Sequence, residues 1–284
     1  MILLNGKDLK FKVVRELGLD DIRKASPQTR QFHRNIQLTF MIKGTLSWKL
    51  PDGKTIRLDG GKYCITRRGD TVDNLHDAIS PCSLIWIIFD PLATGTGGGS
   101  LFSAKELRAI GNSLSAVSGS VFRMNHATNF YINEIRELVM KSAGKNISPA
   151  DMQRIRIALT GILVESANAS SLENCCPANL CDQVKKLVLS DPVKNLSVAE
   201  IAAAFKLSPD FFAKKFRIES GTSVADFVRR MKLEEAMRLM RDESKNITDT
   251  AFSLGFSSSQ YFATLFRKYY GCTPKQFREK GRSR

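Results

Sequence analysis

The side chains best equipped for chemistry in this 284-residue chain are three histidines, His33, His76 and His126, and six cysteines at 64, 82, 175, 176, 181 and 272. A metal-dependent oxygen reaction needs two or three histidines and a carboxylate converging on one ion. No His-x-His occurs, and Glu16 is the only glutamate in the first hundred residues. No two cysteines stand at Cys-x-x-Cys spacing, and no histidine lies near the 175/176/181 group to complete a zinc site. The cysteines read as reduced thiols, and no catalytic residue, metal or cofactor is expected. The run TGTGGGS at 94–100 lacks the Lys-Ser/Thr that a phosphate-binding loop requires, and it reads as a flexible connection.

The residue types favour a different chemistry, contact with a polyanion. Lys and Arg number 43 against 28 Asp and Glu, a formal charge of +15. Cations set against phosphates release condensed counterions, which drives binding to nucleic acid. The excess is divided almost evenly, +8 over 180–284 and +7 over 1–179, so charge alone does not locate the surface. The longest apolar run, Leu84 to Phe89, is far shorter than the roughly 20 residues needed to cross a bilayer, and Met1 to Val14 is not a secretory segment. A cytoplasmic protein with no membrane partner is expected.

Positioning such cations requires rigid elements, and an internal duplication supplies them. Ala202 matches Ala251 and Ser208 matches Ser257 at an offset of 49; Phe212 and Phe262, Phe216 and Phe266, Gly221 and Gly271, and Phe227 and Phe277 match at 50. One residue is inserted at the start of the second unit's later helix. Each unit reads as a short helix with a small alanine, a tight turn, and a second helix bearing two phenylalanines four apart. That is what two helices crossing steeply need: the alanine lets the backbones approach and the aromatic pair fills the angle. Ser197 with Glu200 forms a capping box, with Leu196 and Ile201 as its staple, while Ser208-Pro209 opens a helix that Gly221 stops. Asn246 with Asp249, Ser257 or Ser258, and Gly271 play these parts in the second unit, and Thr273-Pro274 opens a closing helix. Ser223 to Arg241 reads as one helical rod of about 28 Å, able to hold two recognition helices about one DNA turn, near 34 Å, apart.

The first 90 residues read as short strands. Ile36, Leu38, Phe40 and Ile42 alternate, turns follow at Gly44 and Pro51-Asp52-Gly53, and the apolar run from Cys82 to Phe89 suits a strand covered on both faces. A barrel or sandwich is expected. Helices are expected at about 129–142, with Phe130, Ile135, Leu138 and Val139 on one side, and from Ser148-Pro149 onward, where Met152, Ile155, Leu159, Ile162 and Leu163 form a stripe. This stripe packs on its own domain or forms a dimer seam. Ala169 to Asn179 has linker composition.

With Gly255-Phe256, Phe262, Phe266-Arg267-Lys268, Gly271, Thr273-Pro274 and Phe277-Arg278 as its signature, 180–284 resembles the DNA-binding domain of the AraC/XylS family of transcription regulators. Residues 1–100, with His33, Gly44 and Gly69-Asp70, are similar to the family's cupin-like effector-binding domain, and 129–165 resembles its dimerisation helices. The resemblance implies a β-rich cupin-like barrel with trailing helices over 1–170, a linker at 171–179, and an all-α domain of two helix-turn-helix units over 180–284. It further implies an effector-responsive activator of metabolic genes, carbohydrate genes among them. The implied partners are double-stranded DNA, a small-molecule effector such as a sugar, RNA polymerase and a second copy of the chain.

If the first unit docks as the family does, Asp210, Ala213 and Lys214 meet base edges, a guanine acceptor pair suiting Lys214 and a cytosine amine suiting Asp210. In the second unit Ser259, Gln260 and Thr264 take that place. Lys215, Arg217, Arg267, Lys268 and Arg278 suit phosphates. His33, Arg34, Trp48 and His76 are effector-pocket candidates, Trp48 by stacking on a sugar ring. Three departures from the family pattern stand out: Thr250 for a large apolar residue, Lys206 for a turn glycine, and Thr264 for a base-reading arginine. The rival classes are a metal-dependent cupin enzyme, which the three scattered histidines disfavour, and a nonspecific architectural DNA binder, which would not need the β-rich part.

Overall fold

Short alternating segments and long 3.6-period segments separate cleanly along the chain. The structure, a computed structural model, describes every residue except 28–30, 51–52, 75–77, 94–101, 143–146, 172–179, 243 and 283–284. The expected Pro51-Asp52 turn, the glycine-rich run, His76, Cys175, Cys176 and the linker beyond Ser171 therefore lie outside the described residues. Contacts divide the chain into two units, one of 1–21, 29–75 and 82–176, the other of 22–28, 76–81 and 177–284.

The strands are β1 (Ile2–Asn5), β2 (Val14–Ile22), β3 (Ser26–Pro27), β4 (Gln31–Phe32), β5 (Ile36–Lys43) and β6 (Thr45–Lys49). They continue with β7 (Thr55–Asp59), β8 (Lys62–Thr66), β9 (Thr71–Asn74), β10 (Ala78–Ile79), β11 (Cys82–Phe89) and β12 (Val121–Arg123). In the first unit they form a six-stranded sheet in the order β1-β2-β11-β5-β8-β12 and a four-stranded sheet in the order β4-β9-β6-β7. The described pairings are antiparallel, and β11, buried along most of its length, lies between β2 and β5.

Of the barrel or sandwich expected, the described strands of this unit form two separate sheets and no closed barrel. Helices complete the core instead. Residues from α1 (Ala104–Ala116), α2 (His126–Ser142) and α3 (Pro149–Ser171) join Leu38, Phe40, Ile85 and Ile87 in one cluster. A sheet with an apolar face must bury it, and here helices rather than further strands do so. The stripe Ile155, Leu159, Ile162 and Leu163 is wholly buried in this cluster, so it packs on its own unit. Ile135, Leu138 and Val139 are buried on α2 as expected, whereas Phe130 is 58% exposed and Ile132 lies inward in its place. α1, begun by a Ser103–Glu106 capping box, had no sequence expectation.

The second unit carries α4 (Leu180–Ser190), α5 (Val198–Ala204), α6 (Pro209–Ser220), α7 (Val224–Leu239), α8 (Ile247–Ser253), α9 (Ser259–Tyr270) and α10 (Pro274–Arg282). It also holds the two-stranded pair β3-β10. The helix ends follow the sequence closely. Ser197 accepts from Glu200 N while Glu200 accepts from Ser197 N, and Gly221 and Gly271 stop α6 and α9 at φ +66° and +73°. Ser258, not Ser257, caps α9, so the inserted residue lengthens the turn and leaves the helix intact.

Lys206 adopts φ +57° where the second unit has Gly255 at +73°, a left-handed turn that a non-glycine side chain occupies at a cost of about 1–2 kcal/mol. Thr250 is buried with its hydroxyl donating to Asn246 O at 2.9 Å, so the polar replacement is satisfied. The rod α7 has 16 residues, about 24 Å of helix.

A polar cluster anchors the rod. Asp226 accepts from Tyr269 Oη at 2.5 Å, Thr222 Oγ1 at 3.0 Å and Arg230 Nε at 3.1 Å. Arg230 also lies over the Tyr269 ring, 4.8 Å from its centroid, and donates to Pro81 O at 2.7 Å. Burial alone would raise the Asp226 carboxyl. The Tyr269 hydrogen bond, the Arg230 charge and the Thr222 hydrogen bond outweigh burial and hold it below its ordinary value. Tyr269, buried and facing that carboxylate, is pushed up to about 12.

Two outcomes follow for stability. Phe266→Ala empties a fully buried site beside Ala251 and should destabilise the helical unit by about 3–5 kcal/mol, measured by urea unfolding under circular dichroism. Because Asp226 binds its proton less tightly when folded, its contribution is complete above an ordinary pKa of 3.8 and fades as pH falls through the lowered value. Asp226→Asn should therefore lower the melting temperature at pH 7 and narrow the gap to wild type as the acid range is entered; an unchanged gap at every pH would contradict the cluster's role.

Candidate nucleic-acid interface

In each helix-turn-helix unit the alanine and aromatic pair orient the second helix. Ala202, Phe212 and Phe216 are buried in one core, and Ala251, Phe262 and Phe266 in another. With Phe212 and Phe216 inward, Asp210, Ala213, Lys214 and Arg217, at i, i+3, i+4 and i+7, share one outer face of α6. Asp210, Lys214, Lys215 and Arg217 are exposed, and Ala213 is half-buried. On α9 the corresponding face carries Gln260, Ala263, Thr264 and Arg267; Gln260, Thr264, Arg267 and Lys268 are exposed and Ser259 is half-buried.

The candidate base-reading and phosphate residues thus fall on the outer faces of α6 and α9, with Arg278 as the exception. Its side chain is half-buried on α10, and Nη2 donates to Lys245 O at 2.7 Å, so it braces the connection into α8. Gln260 does not form a capping box, because Ser258 caps α9 and places Tyr261 at the third helical position. Lys268 sets its ammonium 5.9 Å from the Tyr269 ring centroid, and its carbonyl accepts from Ala25 N.

Two aromatic residues went unnoticed in the sequence. Phe211 is 55% exposed on α6 and Tyr261 is 45% exposed on α9. They occupy equivalent positions, 50 apart, one residue before the inward phenylalanines. The repeat alignment carries this signal, but the neighbouring aromatic pairs drew the attention. Exposed rings at matching points of two recognition helices offer apolar contact to thymine methyl groups.

The effector candidates belong to the β-rich unit. His33 is buried just after β4; Asp70 O accepts from its backbone N at 2.9 Å, and its Nε2 has no partner. Burial lowers its imidazole from the ordinary value, while Asp70 and Gln37 pull the other way. Trp48 is buried on β6 opposite Ile56 and Asn74, within the sheet core and not on an open surface where a sugar would stack. Arg34 is exposed. Among the described residues no three His, Cys, Asp or Glu side chains cluster as a metal site would require, and no helix is long and apolar enough to cross a membrane.

A family model described as a helix-turn-helix domain matches residues 201–280. The transcriptional regulator GadX of Escherichia coli O6:H1 (strain CFT073) is 30% identical over 149 residues, 51% of this chain and 54% of its own length. The Msm operon regulatory protein of Streptococcus mutans is 29% identical over 123 residues, 43% of this chain and 44% of its own. The thermoregulatory protein LcrF of Yersinia pestis is 24% identical over 258 residues, covering 87% of this chain and 90% of LcrF. The chain thus spans about half the length of the GadX proteins it matches. The solved structure of ToxT from Vibrio cholerae covers 94% of this chain at 12% identity with a TM-score of 0.37, too low to bear on the fold.

The doubled alanine–phenylalanine unit, the matching domain model and the similarity to DNA-binding regulators converge: residues 201–280 form a helix-turn-helix domain, and the chain is similar to transcription regulators of the AraC/XylS kind.

Proposed function

We propose that this regulator is an effector-responsive activator in which one subunit reads two successive major grooves of its operator, α6 in one and α9 in the next. The observation that carries this reading is the pair of equivalent recognition helices, each with its aromatic pair inward and its polar face outward, joined by a continuous helix of about 24 Å. The helices themselves extend the reach of the rod toward the 34 Å of one DNA turn.

On α6, Lys214 reads a guanine, Asp210 a cytosine amine, and Ala213 with Phe211 a thymine methyl; on α9, Gln260 reads adenine, with Ser259 and Thr264 beside it. Lys215, Arg217, Arg267 and Lys268 hold phosphates, with Arg278 contributing from the edge. The β-rich unit binds a small molecule near the partnerless Nε2 of His33, and that ligand shifts the population of DNA-competent conformations through its differential affinity for them. The protein works in the cytoplasm, makes contact with RNA polymerase, and is not an enzyme. A second copy of the chain packs against α2 and α3, where Phe130 and, at 59% exposure, Ile157 present apolar surface to solvent.

Lys214→Ala should lower affinity for a selected operator by about 1–3 kcal/mol and relax the preference at one base pair, whereas Lys268→Ala should weaken all duplexes alike and flatten the salt dependence by about one unit of slope. Equal losses on operator and random DNA for both variants, in anisotropy titrations across salt, would sink the assignment. Ile157→Glu should shift the chain from dimer to monomer in sedimentation velocity while leaving the circular dichroism spectrum unchanged.

A further inference from the structure

Among the described residues, the two helix-turn-helix units have separate apolar cores, and both draw on α7. The first core takes Val224, Phe227 and Met231 from this helix, and the second takes Leu233, Ala236, Met237 and Met240. Among the described residues, every extensive helix pairing of this unit lies within one of the two cores or runs onto α7. A crease of about 380 Å³ remains between them, walled by Leu196, Val198, Ile201, Val228 and Phe256.

Lys232 sits at the join between the cores, only 5% exposed. Its Nζ donates to Asn195 Oδ1 at 2.8 Å, and Asn195 Nδ2 donates in turn to Gly255 O at 2.8 Å. Asn195 belongs to the loop that leads into α5 of the first unit, and Gly255 is the turn of the second. The fit there is close. A Cβ at Gly255 would stand 2.6 Å from Val193 O and 3.0 Å from Pro192 O, so the second unit's turn rests directly on the first unit's loop.

A shared rod sets the distance between two units but leaves the angle at which each leans from it to lateral contacts. Apolar contact is non-directional, whereas hydrogen bonds weaken steeply when bent. We propose that the Lys232–Asn195–Gly255 bridge is a positioning device that sets the relative placement of the two recognition helices, and thereby the number of base pairs one subunit accepts between its two half-sites. This rests on the two-groove reading above. A single added base pair displaces a half-site by about 3.4 Å along the duplex and turns it by roughly a tenth of a revolution, a mismatch that only a held angle can detect.

The test compares full-length wild type, Asn195→Ala and Lys232→Met on a duplex that wild type selects from a random library. Versions with one base pair inserted or removed between the half-sites, and each half-site alone, are titrated in parallel. Wild type should lose about tenfold or more on either spacing variant. In both variant proteins the affinity for the selected duplex should fall about fivefold, the spacing penalty should shrink to about threefold or less, and binding to isolated half-sites should stay as in wild type.

Asn195 is exposed, so Asn195→Ala leaves both cores filled. Full retention of the wild-type spacing penalty in Asn195→Ala overturns the bridge as a positioning device while leaving the two-groove reading intact. A wild type indifferent to spacing removes that reading, and the device with it. Equal losses on half-sites and full site would mark a merely structural contact and likewise overturn the proposal.

Discussion

Everything in the helical unit depends on a close approach of two backbones, made twice. Ala202 and Ala251 have no exposed surface, and each lies in one core with an equally buried phenylalanine pair from the helix that follows. A larger side chain at either alanine would push the recognition helix outward, because cores packed to crystal-like density do not absorb extra volume. The aromatic pair then decides which face of that helix remains. With 212 and 216 inward, 210, 214 and 217 can only face out. The DNA surface is thus a by-product of packing, and sequence variation on the outer face is free to change recognition without touching the fold.

The rod between the units meets a second constraint. A helix buried on several sides must accommodate polar groups, and α7 does so in two places. Asp226 and Arg230 pair with one another and draw in Tyr269 from α9, whose hydroxyl keeps its proton against a facing carboxylate. Lys232, whose charge burial disfavours, finds an amide oxygen on the loop before α5. Leaving either cation unpartnered in such a position would cost more than the bond itself returns, so the polar contacts hold the rod in one rotational setting even where each adds little net stability. Apolar residues alone would bind the same helix with less definition of angle.

Much of this was legible in the sequence, for a reason. The caps, the left-handed glycines and the alanine–phenylalanine spacing are local patterns, and local patterns survive in a linear reading. What failed was long-range. The alternation of Ile36 to Ile42 identifies a strand but not its neighbours, nor that α1, α2 and α3 would share its core. Of the stripe expected on α2, Ile135, Leu138 and Val139 are buried, and Ile132 takes the place of Phe130. Nothing local in the sequence marks Arg230 or Lys232 as buried; their partners Pro81, Tyr269 and Asn195 lie up to 149 residues away. The one-residue shift of the α9 cap was also hidden, since Ser257 and Ser258 both fit a capping pattern and only the turn geometry separates them.

The distribution of charge resolves what the total could not. The excess positive charge is shared between the two halves of the chain, so counting gives no surface. Partnering does. On α7 the three arginines pair locally, Arg229 and Arg230 with Asp226 and Arg238 with Glu235, while the buried Lys232 donates to an amide oxygen. On α6, Lys214, Lys215 and Arg217 are exposed and enter no ion pair among the described residues, and the same holds for Arg267 and Lys268 on α9. Surface cations contribute little to stability, and a chain under selection for folding alone has no reason to leave them unpaired on two equivalent helices while pairing those on the helix between. Unpaired cations keep their full field for a distant phosphate, and paired ones do not. The two helices also differ: in the proposed complex α6 presents charge to the bases through Asp210 and Lys214, whereas α9 offers the neutral Gln260 and Thr264 and keeps its cations toward its C-terminal end. A charged reader is intolerant of the wrong base because an unmatched buried charge is costly, and a neutral one is more forgiving. On the proposed docking, the first unit is therefore the stricter half of the site, and the second the half whose contribution leans on phosphates and on being held at the right distance.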